Sequence, residues 1–249
     1  MKYLITSFIV LIMAVSGIAK PDPRVFELRV YHCLDGRRPA LIKRFQEHTT
    51  RIFEKHGMEN IAYFLPTSDE QKNDLIYILA YPSIEAREAS WKAFMADPEW
   101  QKVAEESQKD GKIVASVDAN FMKIEPELTE ILKLNAQNPA RAFELRSYYC
   151  FPGRYPNIVN RFRDHTRALF EKHGMENIAY WGTVDKDQKQ PHLIYLLAYP
   201  SEAARKESWG TFGKDPVWIA AKEASEADAK IVERVVSVMM EPLPFSKIQ

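Results

Sequence analysis

Eleven residues, FEKHGMENIAY, run from Phe53 to Tyr63 and return letter for letter from Phe170 to Tyr180, 117 positions later. The match extends well beyond them. FELRVYHC (Phe26–Cys33) is echoed by FELRSYYC (Phe143–Cys150), and RFQEHT (Arg44–Thr49) by RFRDHT (Arg161–Thr166). LIYILAYPS (Leu75–Ser83) returns as LIYLLAYPS (Leu193–Ser201), and the Ser90–Trp100 pattern returns in Ser208–Trp218. Two copies of a unit this long are a duplicated domain; a solenoid needs three or more shorter repeats. The sequence therefore divides into residues 25–126, a linker over 127–140 that contains the helix-breaking Asn138-Pro139, and residues 141–242.

Each copy carries the same order of elements. Phe26–Cys33 alternates Phe, Leu and Val with Glu, Arg and Tyr, which is the period of a strand. Asp35-Gly36 (Pro152-Gly153 in the second copy) makes a turn. Pro39–His56 places Leu41, Ile42, Phe45, Ile52 and Phe53 on one helical stripe, with Gly57 as its stop. Strands are expected at Met58–Leu65 and Leu75–Tyr81. Ser83 caps a second helix, Asp97-Pro98 opens another, and a final strand covers Ile113–Ile124. The order β-α-β-β-α-β is the ferredoxin-like split unit, an α+β fold. Its helices cover one sheet face, so the other must find a partner. Tandem copies supply one: two sheets packed face to face make an intramolecular pseudo-dimeric α+β barrel.

These blocks, FELRVY, RFQEHT, FEKHGM, LAYPS and REASW with DPEW, resemble the NIPSNAP family of the dimeric α+β-barrel superfamily. Both copies carry them, so the resemblance spans nearly all of residues 25–242. It implies tandem ferredoxin-like barrels and, by itself, no reaction. The superfamily includes cofactor-free oxygenases, haem proteins and muconolactone-type isomerases, a likeness of fold that does not transfer activity.

Lys plus Arg and Asp plus Glu are equal at 34 each, and no basic run is interleaved with aromatics, so nucleic acid is not an expected partner. The first 19 residues read as a signal peptide: Lys2, an apolar run from Tyr3 to Val15, then Gly17 and Ala19 before the cut. Export, periplasmic or secreted, is the expectation, with membrane contact only through this segment if it stays uncleaved. No phosphate loop, serine-hydrolase elbow or zinc-protease motif occurs, and no cofactor or metal is implied.

With Phe26, Leu28 and Val30 turned toward the helices, Glu27, Arg29, Tyr31 and Cys33 are expected in the barrel interior, along with Glu144, Arg146, Tyr148 and Cys150. These Glu, Arg and Tyr residues are the catalytic candidates: Arg could hold a carboxylate or enolate while Glu or Tyr moves a proton. The alternative is a Glu–Arg lattice that satisfies itself and pins the register. Tyr63, Tyr77, Tyr180 and Tyr195 are the ligand-binding candidates on the same face. Cys33 and Cys150 could form a disulfide in an exported chain or stand as free thiols. His48 and His165 are expected as core histidines, with a base or metal ligand as the alternative, and His56 and His173 at helix ends. His32 and His192 lack counterparts. The polar runs Asp69–Asp74 and Asp185–Gln190 are candidate contact loops. Two functions follow: binding of a small ligand or partner protein, with further oligomerisation open, or a cofactor-free oxygenase- or isomerase-like enzyme using Tyr, Arg and Glu.

Overall fold

The computed structural model describes residues 22–129, 132, 134–136, 141–184 and 190–249. The expected signal segment, the Asn138-Pro139 break and most of the Asp185–Gln190 run lie outside the described residues. In the first repeat, β1 (Val25–Cys33) leads into α1 (Arg38–Arg44) and α2 (Thr50–Lys55), which a π-helical turn over Phe45–Thr49 joins. β2 (Glu59–Pro66) and β3 (Asp74–Tyr81) follow, then α3 (Ile84–Ala96), α4 (Pro98–Ser107) and β4 (Val114–Ile124). The second repeat repeats the series. It runs through β5 (Ala142–Cys150), α5 (Tyr155–Arg161), α6 (Arg167–Lys172), β6 (Glu176–Thr183), β7 (Leu193–Tyr199), α7 (Glu202–Phe212), α8 (Pro216–Ser225) and β8 (Val232–Pro242).

Local chemistry explains the boundaries. Ser83 Oγ accepts a hydrogen bond from Ala86 N at 3.1 Å, and Asp97 Oδ1 accepts from Glu99 N at 2.8 Å with Pro98 at the first helical position. Gly57 and Gly174, both at φ +76, take the left-handed conformation that ends α2 and α6. Thr49 donates to Arg44 O and Thr50 to Phe45 O, five residues back, and Thr166 does the same to Arg161 O. The widened turn is therefore part of the repeated unit, not an accident of one copy.

The eight strands close into one barrel in the order β1-β3-β2-β8-β5-β7-β6-β4. Each repeat contributes four strands, and its last strand crosses to the other repeat. β8 pairs with β2 (Phe64 with Pro242, Leu65 with Glu241), and β4 pairs with β6 (Met122 with Thr183, Ile124 with Trp181). Closure removes two edges that each repeat alone would expose.

The face that seals the barrel is not the one the sequence reading chose. Phe26, Leu28, Ile76 and Ile78 point inward and meet Phe143, Leu145, Ile194 and Leu196 in one apolar cluster. Phe26 packs edge-on against Trp181 at 6.0 Å, and Phe64 meets Phe143 at a tilt at 5.0 Å. Glu27, Arg29, Tyr31 and Cys33 lie on the opposite, helix-covered face, as do Glu144, Arg146, Tyr148 and Cys150. The reason is counter-charge. The interior of a barrel made from two like sheets offers only more apolar side chains, whereas α3 and α7 bring Arg87 and Arg205 over the glutamates. A buried carboxylate goes where its partners are.

Candidate functional site: the charged layer between sheet and helices

Glu27 and Glu144 are fully buried, and each is surrounded by donors. Glu27 accepts from Arg29 Nη1 at 2.5 Å, Arg87 Nη2 at 2.7 Å and Nε at 3.0 Å, Tyr81 Oη at 3.1 Å and Trp91 Nε1 at 3.2 Å. Glu144 accepts from Arg146 Nη1 at 2.6 Å, Arg205 Nη2 at 2.8 Å and Nε at 3.1 Å, and Tyr199 Oη and Trp209 Nε1, both at 2.8 Å. Burial alone would raise the pKa of either glutamate. The hydrogen bonds from Arg87 and Arg205 and the charges of Arg29 and Arg146 outweigh it and hold both below the ordinary carboxylate value.

The repeats differ by one donor. Ser237 stands opposite Arg146 in the β5–β8 ladder and donates to Glu144 Oε1 at 2.6 Å. The matching residue opposite Arg29 is Ala119, which has no hydroxyl to give. Arg87 and Trp91, like Arg205 and Trp209, are four residues apart on one helix, which brings guanidinium and indole over the same carboxylate. Sequence reasoning passed over Arg87 and Arg205. The paired REASW and RKESW segments (Arg87–Trp91 and Arg205–Trp209) were the signal that could have found them.

Above the carboxylates, Arg29 Nε donates to Tyr77 Oη at 2.9 Å and Arg146 Nε to Tyr195 Oη at 2.9 Å. Tyr63 stacks on Tyr77 at 5.5 Å, and Tyr180 on Tyr195 at 5.3 Å. Tyr63 and Tyr180 hydrogen-bond Asn60 and Asn177. These four tyrosines are buried under the helices rather than facing a barrel lumen, and burial raises the pKa of each phenol well above its usual value. The expected interior tyrosine site is thus replaced by an aromatic layer outside the barrel.

The remaining candidates separate. Cys33 and Cys150 are free, buried thiols that belong to different apolar clusters, one per repeat, so the disulfide is not formed. Burial pushes both up to about 11. His48 is not a core residue: the π turn hands the buried position to Thr49 and leaves the His48 side chain 43% exposed, with His165 exposed likewise. His56 and His173 end α2 and α6 and bond Asp97 at 2.6 Å and Asp215 at 2.8 Å, tying these ends to the caps of α4 and α8. His32 bridges Asp74 at 2.8 Å and Asp118 at 3.2 Å near the barrel mouth. Among the described residues no cluster of His, Cys, Asp and Glu has the makings of a metal site.

Three cavities open beside the helices. One of about 570 Å³ lies between α1 and α4 and reaches Arg44, His48 and Ser107. Another of about 370 Å³, beside α5, α8 and β8, is lined by Tyr148, Arg161 and Trp218. A third, of about 500 Å³, touches Arg205 and Ser237. None of the three is lined by Glu27 or Glu144.

Two four-stranded units closed into one barrel, with helices outside, define a dimeric α+β barrel contained in one chain. Solved structures share that frame. A monooxygenase candidate from Lactobacillus acidophilus NCFM matches over 89% of this chain and 94% of its own, at TM-score 0.54 and 10% identity. One from Fusobacterium nucleatum matches over 88% and 92%, at TM-score 0.58 and 8% identity. An anthrone oxidase-like protein matches over 89% and 92%, at TM-score 0.58 and 11% identity. At such identities the likeness is one of fold. No curated protein matches the sequence. The NIPSNAP family model matches residues 26–126 and again 143–247, and the chain belongs to the NIPSNAP family.

Proposed function

We propose that this tandem NIPSNAP protein is an exported binding protein, taking a small ligand or a partner protein at the clefts beside its helices. The observation that carries this reading is the saturation of the two buried glutamates. Each already accepts five or more hydrogen bonds from two arginines, a tyrosine and a tryptophan, and neither lines the cavities beside it. A general base must reach the proton it takes and must be poised to hold it; these carboxylates are enclosed and held ionised. The Glu–Arg arrangement is thereby a lattice that fixes α3 and α7 to the sheet. Export is supported by the charged, apolar and small-residue sequence of the first 19 residues.

A second reading has one observation in its favour. Tyr148 lines the 370 Å³ cavity, and Arg146 Nη2 donates to its hydroxyl at 3.5 Å, so a phenol held by a guanidinium stands next to open volume. A cofactor-free oxygenase or isomerase would use that pair. A screen of small organic acids and aromatic compounds by thermal shift, run in parallel with dioxygen-consumption measurements, separates the two. Saturable stabilisation without oxygen uptake or product supports binding; turnover lost in Tyr148→Phe would replace it with the enzyme reading.

A further inference from the structure

The two repeats share a buried arginine, and only one of the two has an anionic partner. Arg44 and Arg161 occupy matching places at the end of α1 and α5, are 8% and 5% exposed, and lie against Trp100 and Trp218 at 5.2 and 5.4 Å. Arg44 Nη1 donates to Ser107 Oγ at 3.2 Å, and Arg161 Nη1 to Ser225 Oγ at 3.3 Å. The second repeat then adds a carboxylate: Glu226 Oε1 lies 3.2 Å from Arg161 Nη1. The first repeat has Gln108 at that position, with its amide turned to Ala104 O at 3.1 Å. Among the described residues no carboxylate comes within ion-pair distance of Arg44. Burial accordingly depresses its pKa, with only Tyr31, Tyr77 and Cys33 acting against the shift.

A buried guanidinium without a counter-charge destabilises the fold, and an anion from solution can relieve that. Arg44 borders the cavity of about 570 Å³ between α1 and α4, so an anion has room to arrive. Ala40 and Val103 give that cavity an apolar wall, and Lys43 and Lys102 stand on its lining. Its acids are engaged in part by other cations: Glu99 by Arg51 and Lys55, Glu106 by Lys109, and Glu47 stands 3.9 Å from His48; Asp110 also lines it.

We infer that the α1–α4 cavity of the first repeat binds the carboxylate of a small amphipathic organic acid, with Arg44 as the anchoring cation and the apolar body lying on Ala40 and Val103. The inference rests on the ligand-binding reading above and gives it a ligand class. The second repeat carries its own occupant in Glu226, which stands where the ligand carboxylate would be. The apolar wall and the single deep guanidinium favour an organic carboxylate over inorganic phosphate, which needs more donors.

The test uses sodium benzoate as the probe, titrated calorimetrically into the full chain in a buffer free of carboxylate and phosphate, with inorganic phosphate as a second titrant. Gln108 and Glu226 cap their helices with nearly the same backbone, φ −109, ψ 10 and φ −114, ψ 13, so exchanging the two side chains leaves the fold in place. The wild type should bind one benzoate and prefer it to phosphate. Gln108→Glu should weaken benzoate by about tenfold or more, because the site then neutralises itself. No saturable benzoate binding to the wild type, or binding that Gln108→Glu leaves unchanged, overturns the site. Equal affinity for phosphate overturns the ligand class. A different compound binding elsewhere in the thermal-shift screen would keep the wider reading alone.

Discussion

Replacing Glu27 by Gln changes almost no volume and reverses the logic of its surroundings. The native carboxylate faces donors only: two guanidinium groups, a phenol and an indole. A glutamine keeps one acceptor and turns an NH₂ group toward that ring of donors, while Arg29 and Arg87 lose the charge that offsets theirs. Removing one partner of a buried ion pair costs about 3–5 kcal/mol. For a chain of 249 residues each kcal/mol moves Tm by about 2–4 °C, so Glu27→Gln should unfold about 6–20 °C earlier. Urea denaturation checks the same quantity, provided the slope with denaturant is unchanged so that the midpoint reports stability. A loss below about 1 kcal/mol, the worth of an exposed pair, would refute the reasoning, because it would mean the carboxylate is solvated rather than enclosed.

Other outcomes follow from the same contacts. Ser237→Ala should cost about 1.5–3 kcal/mol by removing a hydrogen bond to a charged acceptor, read by denaturant midpoint. A Cβ on Gly182 would stand 2.5 Å from Tyr155 Oη, which donates to Glu125 at 2.7 Å. Gly182→Ala should therefore cost about 1–3 kcal/mol, and Tyr155→Ala in the same chain should relieve the clash. The folded-state pKa values of Glu27 and Glu144 are depressed. Their contribution is complete above the unfolded carboxylate pKa and drains away as pH falls toward the folded values, so a Glu27→Gln, Glu144→Gln double variant should show a flatter acid limb in stability against pH. Cys33 and Cys150, buried and raised to about 11, should react with iodoacetamide at pH 8 no faster than the chain opens, which mass spectrometry of timed samples would show.

The duplication, the strand and helix order and the barrel were legible because they rest on periodicity and on repeated blocks. FELRVYHC alternates over its whole length, and the Leu41, Phe45 and Phe53 stripe is helical whatever covers it. Which strand face meets which layer was not legible from the alternation, because both faces are hydrophobic in part: Phe26 and Leu28 on one, Tyr31, Tyr77 and Tyr81 on the other. The deciding fact lay sixty residues away on α3, where Arg87 supplies the charge that Glu27 needs. Pairing each expected buried charge with its partner before assigning faces would have turned the sheet the right way round. His48 was misplaced for a local reason: the π turn breaks the 3.6-residue phase between Phe45 and Ile52, and its threonine-to-carbonyl bonds leave no separate mark in the sequence. The asymmetry of Gln108 against Glu226 is visible in the aligned repeats, but its meaning depends on the depth of Arg44, which only coordinates supply.

The whole account stands on charged strand residues being roofed by helices rather than enclosed by the opposing sheet. A double-mutant cycle between Glu144 on β5 and Arg205 on α7 asks this most directly. The account predicts a coupling energy above about 1 kcal/mol; single losses that simply add, to within about 0.5 kcal/mol, would contradict it.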